Sequence, residues 1–227
     1  QERMETVGKS IDGTSTATRL ARRSFISFAG PPTKTAGPLH LKVLKDAQER
    51  METVGKSIDG TSTATISCGC FWGPELAFQR VPGVTRTAVG YTSGHDPLPT
   101  YNKVCSGSSG HTEAVQVDFD PRVVTFEELL VVFWDIHDGT QLNRQGNDVG
   151  TQYRSGIYWH TVEQKNEADA MHANISEQLM ERIGAPLATE IVKLDTFHDA
   201  EKEHQQYLER GGQRPIKMCT DPIRCYG

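Results

Sequence analysis

Gly69-Cys70-Phe71-Trp72-Gly73 sets a thiol between two glycine-flanked turns and follows it at once with two large aromatic rings. A cysteine sulfur is a soft nucleophile, and the thiolate is the form that reacts. Residues 64–68 read as a short strand. Pro74-Glu75-Leu76-Ala77-Phe78 opens a helix, with proline in the first turn, where its missing N–H costs nothing. The spacing therefore predicts Cys70 at a strand-to-helix junction, near a helix N-terminus whose dipole favours an anion and lowers a thiol's pKa. Phe71 and Trp72 suggest an apolar box for a small substrate group beside the sulfur. A buried structural cysteine at a tight turn is the alternative reading of the same five residues.

Polar and aromatic residues collect in three further stretches. The first runs from Pro99-Thr100-Tyr101 to Val104-Cys105-Ser106-Gly107. The second is Gly110-His111-Thr112-Glu113. The third, residues 144–154, is long, polar and punctuated by Gly146 and Gly150. Functional loops have this composition, and so do ordinary surface loops.

The elements that must position these residues alternate between strand and helix. Residues 85–90 form a strand leading into a glycine-rich loop, and 113–119 alternate apolar and polar with the period of a half-buried strand. Thr125 with Glu128 makes a capping box ahead of an apolar helix reaching Ile136. A strand at 156–159 precedes the longest helix, capped by Thr161 and Gln164 and running to about Ile183. A strand at 190–194 follows, and Asp195 starts a last helix that ends near Gly211-Gly212. The expected class is α/β (α+β): a two-layer sandwich with a mixed central sheet, helices packed on it, and a coil-rich C-terminal tail.

The chain has 227 residues, 36% of them hydrophobic, and a net charge of -5. Its mean hydropathy is -0.50. No apolar run approaches the ~20 residues that span a bilayer, and no basic field invites nucleic acid. Neither a membrane nor a nucleic acid is an expected partner. Five cysteines are an odd count, too sparse for a disulfide scaffold, and favour reactive thiols in a reducing compartment.

Residues 1–18 recur without one change at 48–65. Structural repeats drift and keep only their apolar pattern, so an undrifted copy points to a recent duplication or a cloning artefact. Residues 19–47 begin Arg19-Leu20-Ala21-Arg22-Arg23 and are rich in Arg, Ser and Pro, as organelle transit peptides are; a linker is the bland alternative. Residues 1–61 are expected to be leader and linker with little core, and 62–227 the catalytic domain. The expected location is the cytoplasm, or a plastid or mitochondrion if 19–47 acts as a transit segment.

Five segments taken together resemble a known family. Gly-Cys-Phe-Trp-Gly at 69–73, PTYNKVCSG at 99–107, GHTEAV at 110–115, RQGNDVGTQYRS at 144–155 and EKEHQQYL at 201–208 are similar, in order, to type A peptide methionine sulfoxide reductases. The ending DPIRCYG is similar to plant-type members. The resemblance covers roughly residues 65–227. It implies a thiol-dependent oxidoreductase that repairs methionine S-sulfoxide in oxidised proteins, peptides and the free amino acid, with no bound cofactor or metal. Under it, Cys70 attacks the sulfoxide sulfur, and Glu113, kept neutral by burial, protonates the oxygen. Tyr101 and Tyr153 hydrogen-bond that oxygen, Asp148 orients the site, and Phe71 and Trp72 hold the methyl group. Attack leaves a sulfenic acid on Cys70, which condenses with a second thiol. Cys219 and Cys225, on a tail hinged at Gly211-Gly212, are implied to resolve it in an order the sequence does not give. Thioredoxin, or dithiothreitol in vitro, reduces the final bridge of a monomeric enzyme.

Each assignment has a plainer rival. Glu113 could be a solvated carboxylate, Tyr101 and Tyr153 rim aromatics, and Asp148 an Asx-turn residue. Cys219 and Cys225 could form a static bond, and Cys68, Cys105, His111 and His204 read as structural. A zinc deaminase would use His111-Thr112-Glu113 but needs a Pro-Cys-x-x-Cys partner that is missing. A cysteine hydrolase leaves the tail cysteines unexplained, and a metal-binding module lacks paired ligands at zinc spacings.

Overall fold

The computed structural model describes residues 36–54 and 60–225. The first copy of the repeat and the start of the leader-like segment lie outside the described residues. In chain order the elements are α1 (Pro38–Val54), β1 (Ser62–Cys68), α2 (Trp72–Gln79), β2 (Val84–Thr92), α3 (Tyr101–Cys105) and β3 (Thr112–Phe119). There follow α4 (Phe126–Ile136), a two-strand hairpin of β4 (Arg144–Gln145) and β5 (Asp148–Val149), and a 3-10 turn at Thr151–Tyr153. The chain then forms β6 (Ser155–Trp159), α5 (Val162–Ile183), β7 (Glu190–Lys193), β8 (Phe197–Asp199) and α6 (Tyr207–Arg210).

Six strands form one mixed sheet in the order β7-β6-β1-β3-β2-β8. β6 and β7 are parallel, joined through α5; every other neighbour pair is antiparallel. A parallel pair requires such a crossover, whereas antiparallel neighbours do not. Helices pack on the sheet, giving the α/β class expected. The central strand β1 is buried through residues 64–68, because both of its neighbours and the helices cover it. α4 begins at the expected capping box: Thr125 Oγ1 accepts from Glu128 N–H, and the Glu128 carboxylate accepts from Thr125 N–H. It is apolar nearly all round, and Leu130, Phe133 and Trp134 are fully buried. α5 starts at Thr161 as expected and stops at Gly184, whose left-handed φ of 66° no β-branched residue would adopt cheaply.

Two expectations need correction. Residues up to 61 are not idle, because α1 lays Val43, Leu44 and Ala47 into the core against α4. His40 Nδ1 lies 2.9 Å from the Asp135 carboxylate, and Arg50 pairs with Glu128 at 2.7 Å. The three apolar side chains at i, i+1 and i+4 make a narrow stripe that a leader-like composition concealed.

No helix starts at Asp195. Phe197–Asp199 instead adds β8 to the edge of β2, and only Tyr207–Arg210 is helical. Tertiary partners pull the side chains of this segment in different directions. Glu201 serves Tyr91 and Tyr101, Gln205 pairs with the main chain of Val89, and Gln206 donates to Glu75. A continuous helix would have stacked Glu201 and Gln205 on one face, whereas here they reach different partners, Glu201 the Tyr91 hydroxyl and the Tyr101 N–H and Gln205 the main chain of Val89.

Candidate active site

Cys70 lies where the sequence put it, between the end of β1 and the start of α2. The turn demands glycine at position 69: its φ is +86°, and a Cβ there would sit 2.5 Å from the Gln145 Cβ. Gln145 cannot move aside, because its amide exchanges hydrogen bonds with the main chain of Asp138 at 3.1 and 3.2 Å. The β4–β5 hairpin is thereby packed against the nucleophile turn, and Asp148, on β5, joins Cys70 as a wall of one cavity.

The Cys70 thiol shares one contact with the Cys225 thiol. A hydrogen bond with the Cys225 thiol, burial and the neighbouring Glu113 all push its pKa up, against one main-chain contact from Trp72 that lowers it. The same thiol–thiol contact acts in the opposite sense on its partner, lowering the pKa of the Cys225 thiol. The helix start offers a single N–H, and the second thiol with burial outweighs it.

Glu113, the second residue of β3, lies opposite Tyr91 of β2 and is 2% exposed. Its carboxylate accepts from Phe71 N–H at 3.0 Å, which ties it to the residue after the nucleophile. Burial raises its pKa to about 8, and the nearby Asp148 adds to the rise. At neutral pH the site therefore holds a protonated carboxylic acid beside a thiol. Burial pushes the pKa of Asp148 up as well.

Tyr101 and Tyr153 come from two loops that the fold draws together. Glu201 accepts the Tyr101 N–H at 2.9 Å and the Tyr91 hydroxyl at 2.8 Å, fixing the start of α3. Tyr153 ends the 3-10 turn, which is held by Thr112 Oγ1 on the Gln152 carbonyl at 2.9 Å and Ser67 Oγ on the Arg154 carbonyl at 2.6 Å. The Arg154 guanidinium reaches Glu190 and the carbonyls of Ser93, Gly110 and Thr151, tying the start of β7 to three turns. Burial raises both phenols' pKa values, with Glu113 contributing to each, so both hydroxyls remain donors. Cys105 lies one turn along α3 from Tyr101, and burial raises the pKa of its thiol.

Phe71 is 1% exposed, and with Trp72 it builds an aromatic box that is larger than the sequence suggested. Tyr207 stacks on Trp72 with ring centroids 4.0 Å apart. The His204 ring lies 4.4 Å from Tyr101, 5.6 Å from Phe71 and 5.8 Å from Trp72. His204, read as structural, therefore belongs to the wall of the box, and Tyr207 was missed. The signal lay in the EKEHQQYL segment itself, whose spacing conveys nothing until Gln205 and Gln206 anchor it across β2. Two buried polar atoms of the box, Trp72 Nε1 and His204 Nδ1, have no hydrogen-bond partner among the described residues.

The tail needs no swing to reach the site. Cys225 Sγ lies 4.0 Å from Cys70 Sγ. Cys70, Cys219 and Cys225 all face one cavity of about 330 Å³, whose far wall includes His40 and Leu44 of α1. Cys68 also faces it but is buried, and its pKa is raised strongly by that burial.

Comparison with known proteins agrees with this geometry. The family model for peptide methionine sulfoxide reductase matches residues 62–224. Peptide methionine sulfoxide reductase A2-1 of Oryza sativa is 54% identical over 161 residues, 71% of this chain and 84% of the relative. Peptide methionine sulfoxide reductase A3 of Arabidopsis thaliana is 54% identical over 164 residues, covering 70% and 79%. The chain spans a smaller share, 62%, of relatives from Lactuca sativa and Brassica napus. Among solved structures, methionine sulfoxide reductase A of Corynebacterium diphtheriae superposes with a TM-score of 0.66 at 41% identity, covering 69% of this chain and 77% of that one. The reduced form of Mxr1 from Saccharomyces cerevisiae gives 0.61 at 35% identity, covering 72% and 92%. A thiol followed in sequence by the two rings of an aromatic cluster, with a buried acid bonded to the main chain between them, in a chain with these relatives, leads to one conclusion: the chain belongs to the peptide methionine sulfoxide reductases, a family of oxidoreductases.

Proposed function

We propose that this chain reduces the S epimer of methionine sulfoxide, in oxidised proteins and as the free amino acid, with Cys70 as nucleophile and Glu113 as acid. A sulfoxide oxygen is weakly basic and a poor leaving group, so reduction needs a soft nucleophile on sulfur and a proton on oxygen. One observation carries the reading: the Glu113 carboxyl accepts from the Phe71 N–H at 3.0 Å while burial keeps it protonated to about pH 8. A substrate that enters the box displaces the Cys225 tip and removes the largest influence raising the Cys70 pKa. Cys70 sulfur then bonds the sulfoxide sulfur as Glu113 gives its proton to the oxygen, and Glu113 recovers a proton from the thiol. The hydroxyl oxygen then passes from the substrate sulfur to the Cys70 sulfur as the bond between the two sulfurs breaks, so that methionine leaves and Cys70 becomes a sulfenic acid. Tyr101 and Tyr153 donate to the oxygen as its charge grows, as oxyanion donors do. Asp148 acts through its charge on Glu113, and Phe71 and Trp72 grip the methyl group.

The 4.0 Å separation of the two sulfurs supports Cys225 as the first resolving thiol. Its attack on the sulfenic acid forms a Cys70–Cys225 disulfide and releases water. Cys219 then attacks the Cys225 sulfur, freeing Cys70 and leaving a Cys219–Cys225 bridge for thioredoxin to reduce. The catalytic unit is residues 62–227 with α1 packed on it as part of the same core.

Incubation with both sulfoxide epimers and a dithiol, followed by chiral separation, tests the reading. The S epimer should be consumed and the R epimer left. Cys70→Ser should abolish reduction entirely. Turnover that survives this substitution overturns the scheme.

A further inference from the structure

Arg80 closes α2 at the end opposite Cys70 and is only 5% exposed. Its guanidinium makes no ion pair among the described residues. It donates instead to two carbonyls of the tail, Arg214 at 2.9 Å and Asp221 at 2.6 Å. Its own carbonyl accepts the Met218 N–H at 2.9 Å. One residue thus grips the tail at three points that bracket Cys219. Lys217 reinforces the dock from the tail side, its ammonium donating to the carbonyls of Gln79 and Val84 at 2.7 and 2.8 Å. Beyond the dock, Gln213 and Arg224 hold each other by two amide hydrogen bonds at 2.7 and 3.0 Å, both exposed to solvent. The tail therefore has a firmly held base at 214–221 and a lightly held tip carrying Cys225. A buried guanidinium is costly unless its donors are satisfied, so Arg80 strongly favours the docked base.

We propose that Arg80 is a positioning residue for the resolving step: by gripping 214–221 it keeps Cys219 and Cys225 around the cavity they share with Cys70. This inference rests on the proposed relay through the tail cysteines. α2 acts as the rigid bar in this arrangement, with the nucleophile at one end and the tail clamp at the other. Arg80 takes no part in attack on the sulfoxide, since its guanidinium faces the tail and not the aromatic box.

Rapid mixing of reduced full-length protein with methionine S-sulfoxide, without reductant, separates the steps. The wild-type protein should release one methionine and lose the thiols of Cys219 and Cys225 as their bridge forms. In Arg80→Gln the methionine burst should keep its amplitude and its rate within ~2-fold, while thiol loss slows ~10- to 100-fold, the penalty of a misplaced reacting group. Dimedone should then trap the Cys70 sulfenic acid in the variant and not in the wild type. Dithiothreitol should sustain turnover of the variant far better than thioredoxin does. Thiol loss in Arg80→Gln at the wild-type rate overturns the proposal, as does a burst slowed in parallel with resolution. If Arg80→Gln does not fold, Arg80→Lys, which keeps the charge but cannot span both carbonyls, should slow thiol loss ~3-fold with the burst unchanged; resolution as fast as in the wild type overturns the proposal equally. A wild-type protein that releases methionine and keeps both tail thiols would defeat the relay itself, a result distinct from an Arg80 variant that resolves normally.

Discussion

The site divides labour between two protonated groups that each need the other. Glu113 is useful only while neutral, and its burial extends that range to about pH 8. Glu113→Gln keeps the hydrogen bond from Phe71 N–H but has no proton to give. Single-turnover kinetics should show the chemical step slowed by ~10²- to 10⁴-fold with substrate affinity little changed. For the same reason the wild-type rate should decline as pH rises through about 8, because the fraction of neutral acid falls there. A rate that climbs steadily to pH 9 would mean that thiol ionisation, not proton donation, limits the step. Cys70, Glu113, Phe71 and Trp72 were legible because each sits in or beside a tight motif. His204 and Tyr207 were not: their rings meet Trp72 only after β8 and the side chains of Gln205 and Gln206 have docked on β2.

At the scale of elements, the tail and α1 carry the arguments. Cys225→Ser should leave a stoichiometric methionine burst and a trapped sulfenic acid, whereas Cys219→Ser should accumulate a Cys70–Cys225 disulfide, readable by mass after alkylation. The reverse assignment in the mass spectrum would make Cys219 the first partner. The strands and the helices with caps could be read in advance, since Thr125, Glu128 and Thr161 announce their helices through local hydrogen bonds. α1 could not, because its buried stripe is short and set in a polar, repeated sequence. Leu44→Ala tests that helix directly. Leu44 is 2% exposed, so truncation should cost ~2–5 kcal/mol of stability in denaturant unfolding. A loss below ~0.5 kcal/mol, typical of surface positions, would mean the helix is not part of the cooperative core.

For the molecule as a whole, buried acids set the pH response of stability. Burial raises the folded-state pKa of Glu113 to about 8 and those of Glu75 and Glu167 to about 7, all above their unfolded values. Between pH 6.5 and 8 the folded protein therefore holds more protons than the unfolded chain, and stability declines as pH rises. Burial acts oppositely on His137, whose folded pKa of about 4 makes its contribution grow with pH up to about 6.5 and then level off. The melting temperature should accordingly drop by a few degrees from pH 6.5 to 8, and Glu75→Gln should flatten part of that slope. A melting temperature that rises over this interval would contradict the burial of these carboxyls.

The wall that α1 supplies to the thiol cavity limits how this chain can be trimmed. A maturation protease that cut after residue 47, where the leader-like composition ends, would strip Val43, Leu44 and Ala47 from beneath α4 and open the chamber behind Cys70 from its far side. A scissile bond upstream of Pro38 spares all three. An intact thiol cavity therefore requires that any such cut fall ahead of the helix.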